Sequence, residues 1–249
     1  MKDIEVRFYA ELNDFLPAER RQVAFRYAFE GTPAVKDTIE AIGVPHTEVD
    51  VILVDGRSVD FAYRLQGGER VAVYPVFERF DVAEVTRLRP APLRVTRFIA
   101  DVHLGALARH LRLVGFDTVW ERDLADEDII RRALAERRIV LTRDRGLLKD
   151  GRVTHGYWLR NTDPRQQLGE VVRALDLAGR LQPYTRCMQC NGELRDAGPE
   201  EVTGEVPAGV LERHRAFAKC DTCGRVYWAG SHRERLDAIV AAARAAGES

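Results

Sequence analysis

The sequence RIVLTRDRGLLK, residues 138–149, decides the fold that we predict for this chain. Its apolar run, Ile139–Thr142, has the length of a buried strand and ends abruptly in the charged residues RDR, which cannot continue into a protein core. In parallel α/β sheets, ligands bind just outside the carboxyl ends of the strands. The sequence therefore predicts that Asp144, the acid in this charged group, lies at the ligand-binding edge of a parallel sheet.

A second stretch has the same form. The sequence VTRFIA, residues 95–100, is largely apolar and stops at Asp101. Two aspartates at strand ends suggest a carboxylate cluster around a hard cation, and oxygen ligands suit Mg²⁺ or Mn²⁺, which commonly act on phosphates. An aspartate at a strand end can also do no more than cap the next helix, so that both interpretations remain open for Asp101 and Asp144.

Helical sequence lies between these two strands. Apolar residues recur at helical intervals after Asp101, a short strand is predicted at residues 117–120, and a second helix is predicted to begin at Asp126. Asp126 would be a suitable N-cap, and capping together with the helix dipole could account for it and for Asp128. The functional interpretation is that one of these two aspartates supplies a third carboxylate. The order β-α-β-α-β predicts parallel strands joined by right-handed crossovers.

Charge is unevenly distributed along the 249 residues, although the net charge is only −1. Residues 89–182 contain 18 Lys and Arg against 13 Asp and Glu, whereas residues 1–88 contain 11 against 16. A basic segment that also contains strand-end carboxylates is typical of a nuclease, in which arginines bind phosphate and carboxylates hold a metal ion. An arginine-rich, solvated helix surface would give the same counts. The candidate phosphate ligands are four arginines near the two aspartates: Arg143, Arg145, Arg109 and Arg112.

Residues 1–82 predict a separate N-terminal domain. Strand, strand, helix, strand, strand is the order of a ubiquitin-like β-grasp, and Asp55-Gly56 predicts a turn between the third and fourth strands. The sequences LNDFLP (12–17) and GGERVAVYP (67–75) resemble the small sulfur-carrier proteins of thiamine and molybdopterin synthesis. Those carriers act through a free C-terminal Gly-Gly, whereas here the Gly-Gly pair precedes the last strand. We therefore favour a docking or RNA-contacting domain, with a purely stabilising appendage as the alternative.

A charged stretch with two prolines, residues 80–92, predicts a linker to a central domain at residues 93–182. Residues 183–249 predict a zinc ribbon followed by an alanine-rich amphipathic helix. The four cysteines form two C-x-x-C pairs, each of which can chelate one side of a tetrahedral Zn²⁺: Cys187 with Cys190, and Cys220 with Cys223. Four thiolates would leave the metal no open position, so we predict a structural zinc and not a catalytic one. Unmetallated cysteines or disulfides are the alternatives, and a cytosolic chain disfavours disulfides.

Three residues after the second cysteine pair are candidates for stacking on unpaired RNA bases: Tyr227, Trp228 and His232. They lie in the sequence VYWAGSH, residues 226–232. Packing against the cysteine pairs would explain them equally well.

Five motifs are informative together: FIADVHLGALARHLRLVGFDT (98–118), DEDII (126–130), RIVLTRDRGLL (138–148), CMQCNGEL (187–194) and VYWAGSH (226–232). They resemble the Mut-seven C-terminal RNase domain, a PIN-like nuclease family whose bacterial members often have a fused N-terminal ubiquitin-like segment. The resemblance implies a PIN-like fold, metal-dependent RNA cleavage and a terminal zinc ribbon. By position, it implies that Asp101 and Asp144 fill the strand-end acidic places. Asp126 and Asp128 compete for the helix-borne place, and Asp150 and Asp163 are candidates for a fourth acid.

The predicted fold class is α/β, with an N-terminal ubiquitin-like β-grasp, a central PIN-like parallel α/β domain and a C-terminal zinc ribbon. The predicted function is a metal-dependent ribonuclease that cleaves RNA phosphodiester bonds through a carboxylate-bound Mg²⁺ or Mn²⁺. Two alternatives remain: a non-catalytic PIN-like RNA- or ribosome-binding protein, and a docking protein in which the N-terminal domain recruits a protein partner. No apolar run reaches membrane-spanning length and the N-terminus resembles a strand rather than a signal peptide, so we expect a cytoplasmic protein without a membrane partner.

Overall fold

The computed structural model describes residues 1–75 and 96–247 of the chain. The predicted linker at residues 80–92 lies outside the described residues, and so do the predicted domain boundaries at residues 82 and 93. The division into three domains therefore stays a prediction.

Packing divides the chain into two units. Of the described residues, the N-terminal unit contains residues 1–75 and 144–158, and the central unit contains residues 96–143 and 159–247. The stretch that follows the strand at residues 139–142 therefore packs with the N-terminal unit.

The strands are β1 (Lys2–Phe8), β2 (Phe25–Phe29), β3 (Val49–Val54), β4 (Arg57–Val59), β5 (Arg70–Pro75), β6 (Arg97–Ala100), β7 (Asp117–Val119), β8 (Ile139–Thr142), β9 (Gly156–Trp158), β10 (Leu194–Ala197), β11 (Phe217–Cys220) and β12 (Val226–Trp228). The α-helices are α1 (Val35–Ile42), α2 (Gly105–Leu113), α3 (Asp126–Glu136), α4 (Arg145–Lys149), α5 (Pro164–Ala174), α6 (Ala208–Arg213) and α7 (Arg233–Gly247). Within these described ranges, no helix has the length and apolar character that a membrane span requires.

The N-terminal unit contains a five-stranded sheet in the order β2-β1-β5-β3-β4. The central pair, β1 and β5, is parallel, and the other neighbouring strands are antiparallel. Alternate residues of β1 (Ile4, Val6 and Phe8) face one core, which they share with Val35 and Ile39 of helix α1. This alternation and this topology confirm the predicted ubiquitin-like β-grasp.

The central unit contains parallel strands in the order β7-β6-β8, with β6 paired to both of its neighbours. Parallel strands need crossover connections, and helices α2 and α3 supply them. Residues Phe98–Ala100 and all of β8 are buried, as expected for a sheet that is covered on both faces. The predicted parallel α/β core is therefore confirmed.

An ion pair between a buried arginine and a partly buried aspartate fixes one end of this sheet. Arg138, at the start of β8, donates to both carboxylate oxygens of Asp117, at 2.8 and 3.2 Å, and to the Phe98 carbonyl at 3.1 Å. Asp117 also accepts a bond of 2.7 Å from the Asn191 amide, in the cysteine-containing region. Burial raises the pKa of the Asp117 carboxyl, but the hydrogen bonds from Arg138 and Asn191 outweigh it and hold this pKa below its ordinary value.

The C-terminal part of the central unit has little apolar core of its own. Strands β10, β11 and β12 form an antiparallel sheet in that order. The apolar cluster in this region is small and consists of Ala197, Val202, Val206, Val210 and Phe217. Helix α7 packs against α5 and buries Ile239, Val240 and Ala243. A region with so small a core is the kind that a bound metal stabilises.

Candidate functional site

The four cysteines converge. Their sulfur atoms all lie within 4.8 Å of one another, and two of the separations are 3.7 Å (Cys187 to Cys223) and 3.4 Å (Cys190 to Cys220). A tetrahedral Zn²⁺ with Zn–S bonds of about 2.3 Å separates its sulfur ligands by about 3.8 Å. None of the four forms a disulfide. This four-cysteine cluster could therefore bind a structural zinc.

The loop around the four-cysteine cluster is built for close approach of the backbone to the sulfurs. Asn191 has the left-handed φ of 72°, and it is followed by Gly192. A Cβ atom on Gly192 would lie 2.4 Å from the Thr222 hydroxyl and 3.0 Å from the Cys220 sulfur. No side chain larger than hydrogen fits at residue 192 without displacing a cluster residue.

Arg112 takes a position that the sequence did not predict. Its side chain is buried, and its guanidinium donates to the carbonyls of Thr118 (2.8 Å), Met188 (3.2 Å) and Gln189 (2.9 Å). It therefore ties helix α2 and β7 to the first cysteine loop. The expectation that Arg112 extends an exposed phosphate-binding surface finds no support in this position, and we leave it out of the proposed RNA surface.

A cleft of about 700 Å³ opens beside the four-cysteine cluster, and we call it the ribbon cleft. All three predicted stacking residues line it: Tyr227, Trp228 and His232. Trp228 is exposed, whereas the Tyr227 hydroxyl lies 3.0 Å from the Cys187 sulfur. Burial, followed by this bond, raises the pKa of Tyr227. Tyr227 thus packs against a cluster cysteine and also lines the cleft, so that the packing and the stacking interpretations are compatible.

Sequence reasoning missed three arginines that line the ribbon cleft: Arg186, Arg225 and Arg233. Arg186 donates to the Asn191 carbonyl at 2.9 Å, and Arg225 is exposed in the turn that follows the second cysteine pair. A basic residue directly after a C-x-x-C-Gly sequence was the available signal. The cleft therefore combines aromatic surface with positive charge.

Asp101 directly follows β6, the central strand of the parallel sheet. Its side chain is 8% exposed, and Oδ2 accepts a hydrogen bond of 2.6 Å from the Thr142 hydroxyl at the end of β8. Asp101 starts a short 3₁₀ turn, but its carboxylate does not cap that turn. The capping interpretation therefore does not apply to the Asp101 side chain. No role was predicted for Thr142 from the sequence, because Thr142 was read only as the last residue of an apolar strand.

The acids of helix α3 lie closer to the surface. Asp126 is exposed, and the N-cap is Ala125, so the prediction that Asp126 caps the helix is wrong by one residue. Asp128 forms an ion pair of 2.6 Å with Arg131. Among the described residues, Asp101, Asp126 and Asp128 do not form a group that could hold a metal ion together, as the four cysteines do.

Asp144 belongs to the N-terminal unit and is the N-cap of helix α4, where its Oδ1 accepts a hydrogen bond of 2.6 Å from the Gly146 amide. The two candidates for a fourth acid are also engaged. Asp150 bonds to Arg152, whose side chain lowers the pKa of Asp150 to about 2, and Asp163 caps helix α5. Capping is therefore an observed role of Asp144 and Asp163.

The three remaining candidate arginines differ in setting. Arg109 on helix α2 and Arg143 after β8 are exposed. Arg145 lies in the N-terminal unit, with its guanidinium 4.2 Å from the ring centre of Trp158 and 5.0 Å from that of Phe15. Arg109 and Arg143 are thus better placed than Arg145 to meet phosphate.

The sequence profile of the Mut7-C RNAse domain matches residues 96–240, more than half of the chain. The chain belongs to the Mut7-C RNAse domain family. A second profile, Mut7-C ubiquitin, matches residues 1–81, so the two profiles follow one another in the predicted order. Membership of the Mut7-C RNAse family suggests a nuclease-like function and RNA as a ligand.

One solved structure is similar to the N-terminal part of this Mut7-C protein: the crystal structure of SAMP1 from Haloferax volcanii. The identity is 17%, the match covers 31% of this chain and 99% of that chain, and the TM-score is 0.25. None of the curated proteins matches the chain. The ubiquitin-like assignment therefore rests on the strand order and on the family profile.

We expect the Mut7-C chain to bind one Zn²⁺ and to lose it when Cys190 is replaced by Ser. Apparent binding free energies of about 10–16 kcal/mol are typical of structural zinc, and with so small a core this energy becomes folding energy. Elemental analysis and thermal unfolding, with and without a chelator, measure both effects. Gln189→Ser, at an exposed position in the same loop, is the matched control and should keep its zinc. A wild-type chain without zinc, or a Cys190→Ser chain that retains it, would contradict the assignment.

Proposed function

We propose that the chain is a metal-dependent ribonuclease that cleaves RNA phosphodiester bonds at the carboxyl edge of the sheet β7-β6-β8. Along the chain, β6 leads to β7 on one side, and β8 then lies on the other side. Open α/β sheets bind ligands where the strand order reverses in this way. Asp101 and Thr142 end the two strands that flank this point, which supports placing the chemistry there.

The buried carboxylate of Asp101 is the observation that carries the proposal. In the part of the chain that the structure describes, Asp101 receives one side-chain hydrogen bond, from Thr142, and takes part in no ion pair. A buried charge is costly unless it is paired or coordinates a metal ion, and one neutral hydroxyl compensates it only in part. A cation at Asp101 would supply the missing compensation.

The donor set fits a hard cation. Mg²⁺ usually binds through one or two carboxylates and keeps several waters, so a cage of three acids is not required. We assign Asp101 and Asp144 as the carboxylates that would hold the ion, and Asp126 and Asp128 as the two candidates for a third. A bound Mg²⁺ or Mn²⁺ would activate water and stabilise the charge that develops at phosphorus.

The residues of this chain have separate tasks in the proposal. The Thr142 hydroxyl fixes the orientation of the Asp101 carboxylate by bonding Oδ2, and we assign Oδ1 to the ion. Arg143 and Arg109 are proposed to contact phosphate oxygens, which guanidinium groups can bind through two parallel bonds. The Arg145 guanidinium contacts aromatic rings instead, so Arg145 is a weaker candidate for binding phosphate.

The ribbon cleft is the proposed site for an unpaired base of the RNA. Trp228 has an exposed side chain, and Tyr227 and His232 also line the cleft. Base stacking on such rings is largely independent of sequence, and Arg225 could bind the adjacent phosphate. We also propose a cytoplasmic location, because a reducing compartment would keep the four cysteines available for zinc.

A non-catalytic RNA- or ribosome-binding protein is the second candidate. Three observations favour it: Asp144 caps a helix, Asp128 pairs with Arg131, and the three acids of the central unit do not converge. This candidate shares the ribbon cleft with the first but predicts no turnover.

We expect purified zinc-loaded protein to cleave a labelled single-stranded RNA when Mn²⁺ or Mg²⁺ is added. Asp101→Asn and Asp144→Asn should each lower kcat by on the order of 100-fold or more, because each removes a charge that holds the ion. Thr142→Val, which removes only the orienting hydroxyl, should cost about 10- to 100-fold.

Asp176→Asn, at an exposed acid that the proposal does not use, is the control for these three variants. Equal cleavage by wild type and Asp101→Asn would point to a different site or to a contaminant. RNA binding without cleavage in any metal would favour the non-catalytic candidate.

Trp228→Ala should weaken the binding of single-stranded RNA by about 5- to 150-fold, because stacking contributes about 1–3 kcal/mol for each base. Trp228→Phe keeps an aromatic ring and should retain most of the affinity. Fluorescence anisotropy of a short labelled oligonucleotide measures both variants at one fixed salt concentration. If the alanine variant binds as tightly as wild type, the base does not lie in the ribbon cleft.

A further inference from the structure

Three consecutive polar residues of the N-terminal unit are almost completely buried. His46, Thr47 and Glu48 form a short 3₁₀ turn, which we call the buried turn, and their exposed fractions are 6%, 1% and 4%. Polar side chains are costly to bury unless they are hydrogen-bonded. The partners of this turn therefore indicate why it is buried.

Each residue of the buried turn contacts a main-chain group of residues 144–158, the 144–158 segment. The His46 Nε2 lies 2.8 Å from the Val153 carbonyl, and the Thr47 hydroxyl donates to the Leu148 carbonyl at 3.4 Å. The Glu48 carboxylate accepts the Trp158 amide. The other His46 nitrogen faces the Glu40 carboxylate, so both ring nitrogens meet oxygen acceptors. All of these residues lie within one unit.

An aromatic clamp holds the start of the same segment. The Arg145 guanidinium lies over the rings of Trp158 and Phe15, whose centres are 4.9 Å apart. An Arg145 nitrogen also lies 3.4 Å from the Asp14 carbonyl, and Lys149 donates to the Glu40 carbonyl at 2.9 Å. Trp158 packs against the core of the β-grasp. The segment is therefore held at its start, its middle and its end.

We propose that the ubiquitin-like domain is a built-in positioning element that fixes the backbone of the 144–158 segment and thereby orients Asp144. The contacts of the buried turn go to backbone carbonyl and amide groups, so they define the path of the chain rather than recognising its side chains. Asp144 is the first residue of that path, and Arg145, its neighbour, is clamped. This inference rests on the proposed function, in which Asp144 is a catalytic carboxylate.

Four residues of the β-grasp thus have a role in positioning: Phe15, His46, Thr47 and Glu48. Arg145 has a different role from phosphate binding, because aromatic rings cover its guanidinium. A domain that served only to recruit partners would have no need to bury three polar side chains against a segment of the nuclease region.

Hydrogen exchange measured by mass spectrometry on the full zinc-loaded chain tests whether the ubiquitin-like domain fixes the backbone of the 144–158 segment. Glu48→Leu leaves the Trp158 amide without its acceptor and should speed exchange across the 144–158 segment by about tenfold. Glu48→Gln keeps an oxygen acceptor and should stay within about threefold of wild type. Phe15→Ala, which removes one wall of the clamp, should resemble Glu48→Leu.

Phe25→Ala is the matched control for Phe15→Ala. Phe25 also carries an arginine over its ring, with Arg20 at 4.9 Å, but both partners belong to the first 75 residues. It should leave exchange in the 144–158 segment unchanged. The inference is overturned if Glu48→Leu and Phe15→Ala leave that segment protected, or if Phe25→Ala exposes it equally.

RNA cleavage kinetics test whether fixing this segment orients Asp144 for catalysis. Glu48→Leu should lower kcat by about 10- to 100-fold, because small displacements of a reacting group are costly, while KM stays within about twofold. Glu48→Gln should restore kcat. Faster hydrogen exchange in the 144–158 segment with an unchanged kcat would overturn the proposed positioning of Asp144. If the wild type cleaves no RNA, the proposed function fails and the catalytic role of Asp144 with it, while the exchange data still decide whether the domain fixes the segment.

Discussion

Parallel pairing of β6 with both β7 and β8 is the constraint on which the functional assignment depends. Because the carboxyl ends of parallel strands meet at one edge, it brings the residue after β6 next to the end of β8. The hydrogen bond from Thr142 to Asp101 is the direct result. The ion pair between Arg138 and Asp117 connects the same strands at their opposite end.

The four-cysteine cluster is connected to this sheet by two side chains, the buried Arg112 and the partly buried Asn191. Arg112 donates to carbonyls of the first cysteine loop, and Asn191 bonds to Asp117 and to the amide of Thr118. Zinc in the cluster would therefore stabilise β7 as well as the ribbon. This arrangement allows the ribbon cleft to keep a defined position relative to the carboxyl edge, because both belong to the central unit.

Local sequence patterns predicted the structural features that depend on only a few neighbouring residues. The apolar runs before Asp101 and Asp144, the turn at Asp55-Gly56 and the spacing of the cysteines each depend on a few neighbouring residues. The N-cap of α3 was assigned to Asp126 because aspartate is a common cap, but the chain enters the helix at Ala125 without a side-chain cap. Such one-residue errors are normal when no side chain forms the cap.

Contacts between residues that are far apart in the chain could not be predicted from the sequence. Arg112 looked like a surface charge because its partners, Met188 and Gln189, lie more than 70 residues away. Arg145 looked like a phosphate ligand because the rings that cover it come from Phe15 and Trp158. In each case the partners of the arginine come from distant parts of the chain, so only the tertiary structure shows them.

The most direct test of the central claim is Mn²⁺ binding to the zinc-loaded protein, followed by electron paramagnetic resonance of the free ion. If the buried Asp101 carboxylate holds a hard cation, the wild type binds Mn²⁺ in addition to its zinc, and Asp101→Asn weakens that binding by about tenfold or more. Equal Mn²⁺ binding by wild type and Asp101→Asn would contradict the account, because the cation would then lie elsewhere.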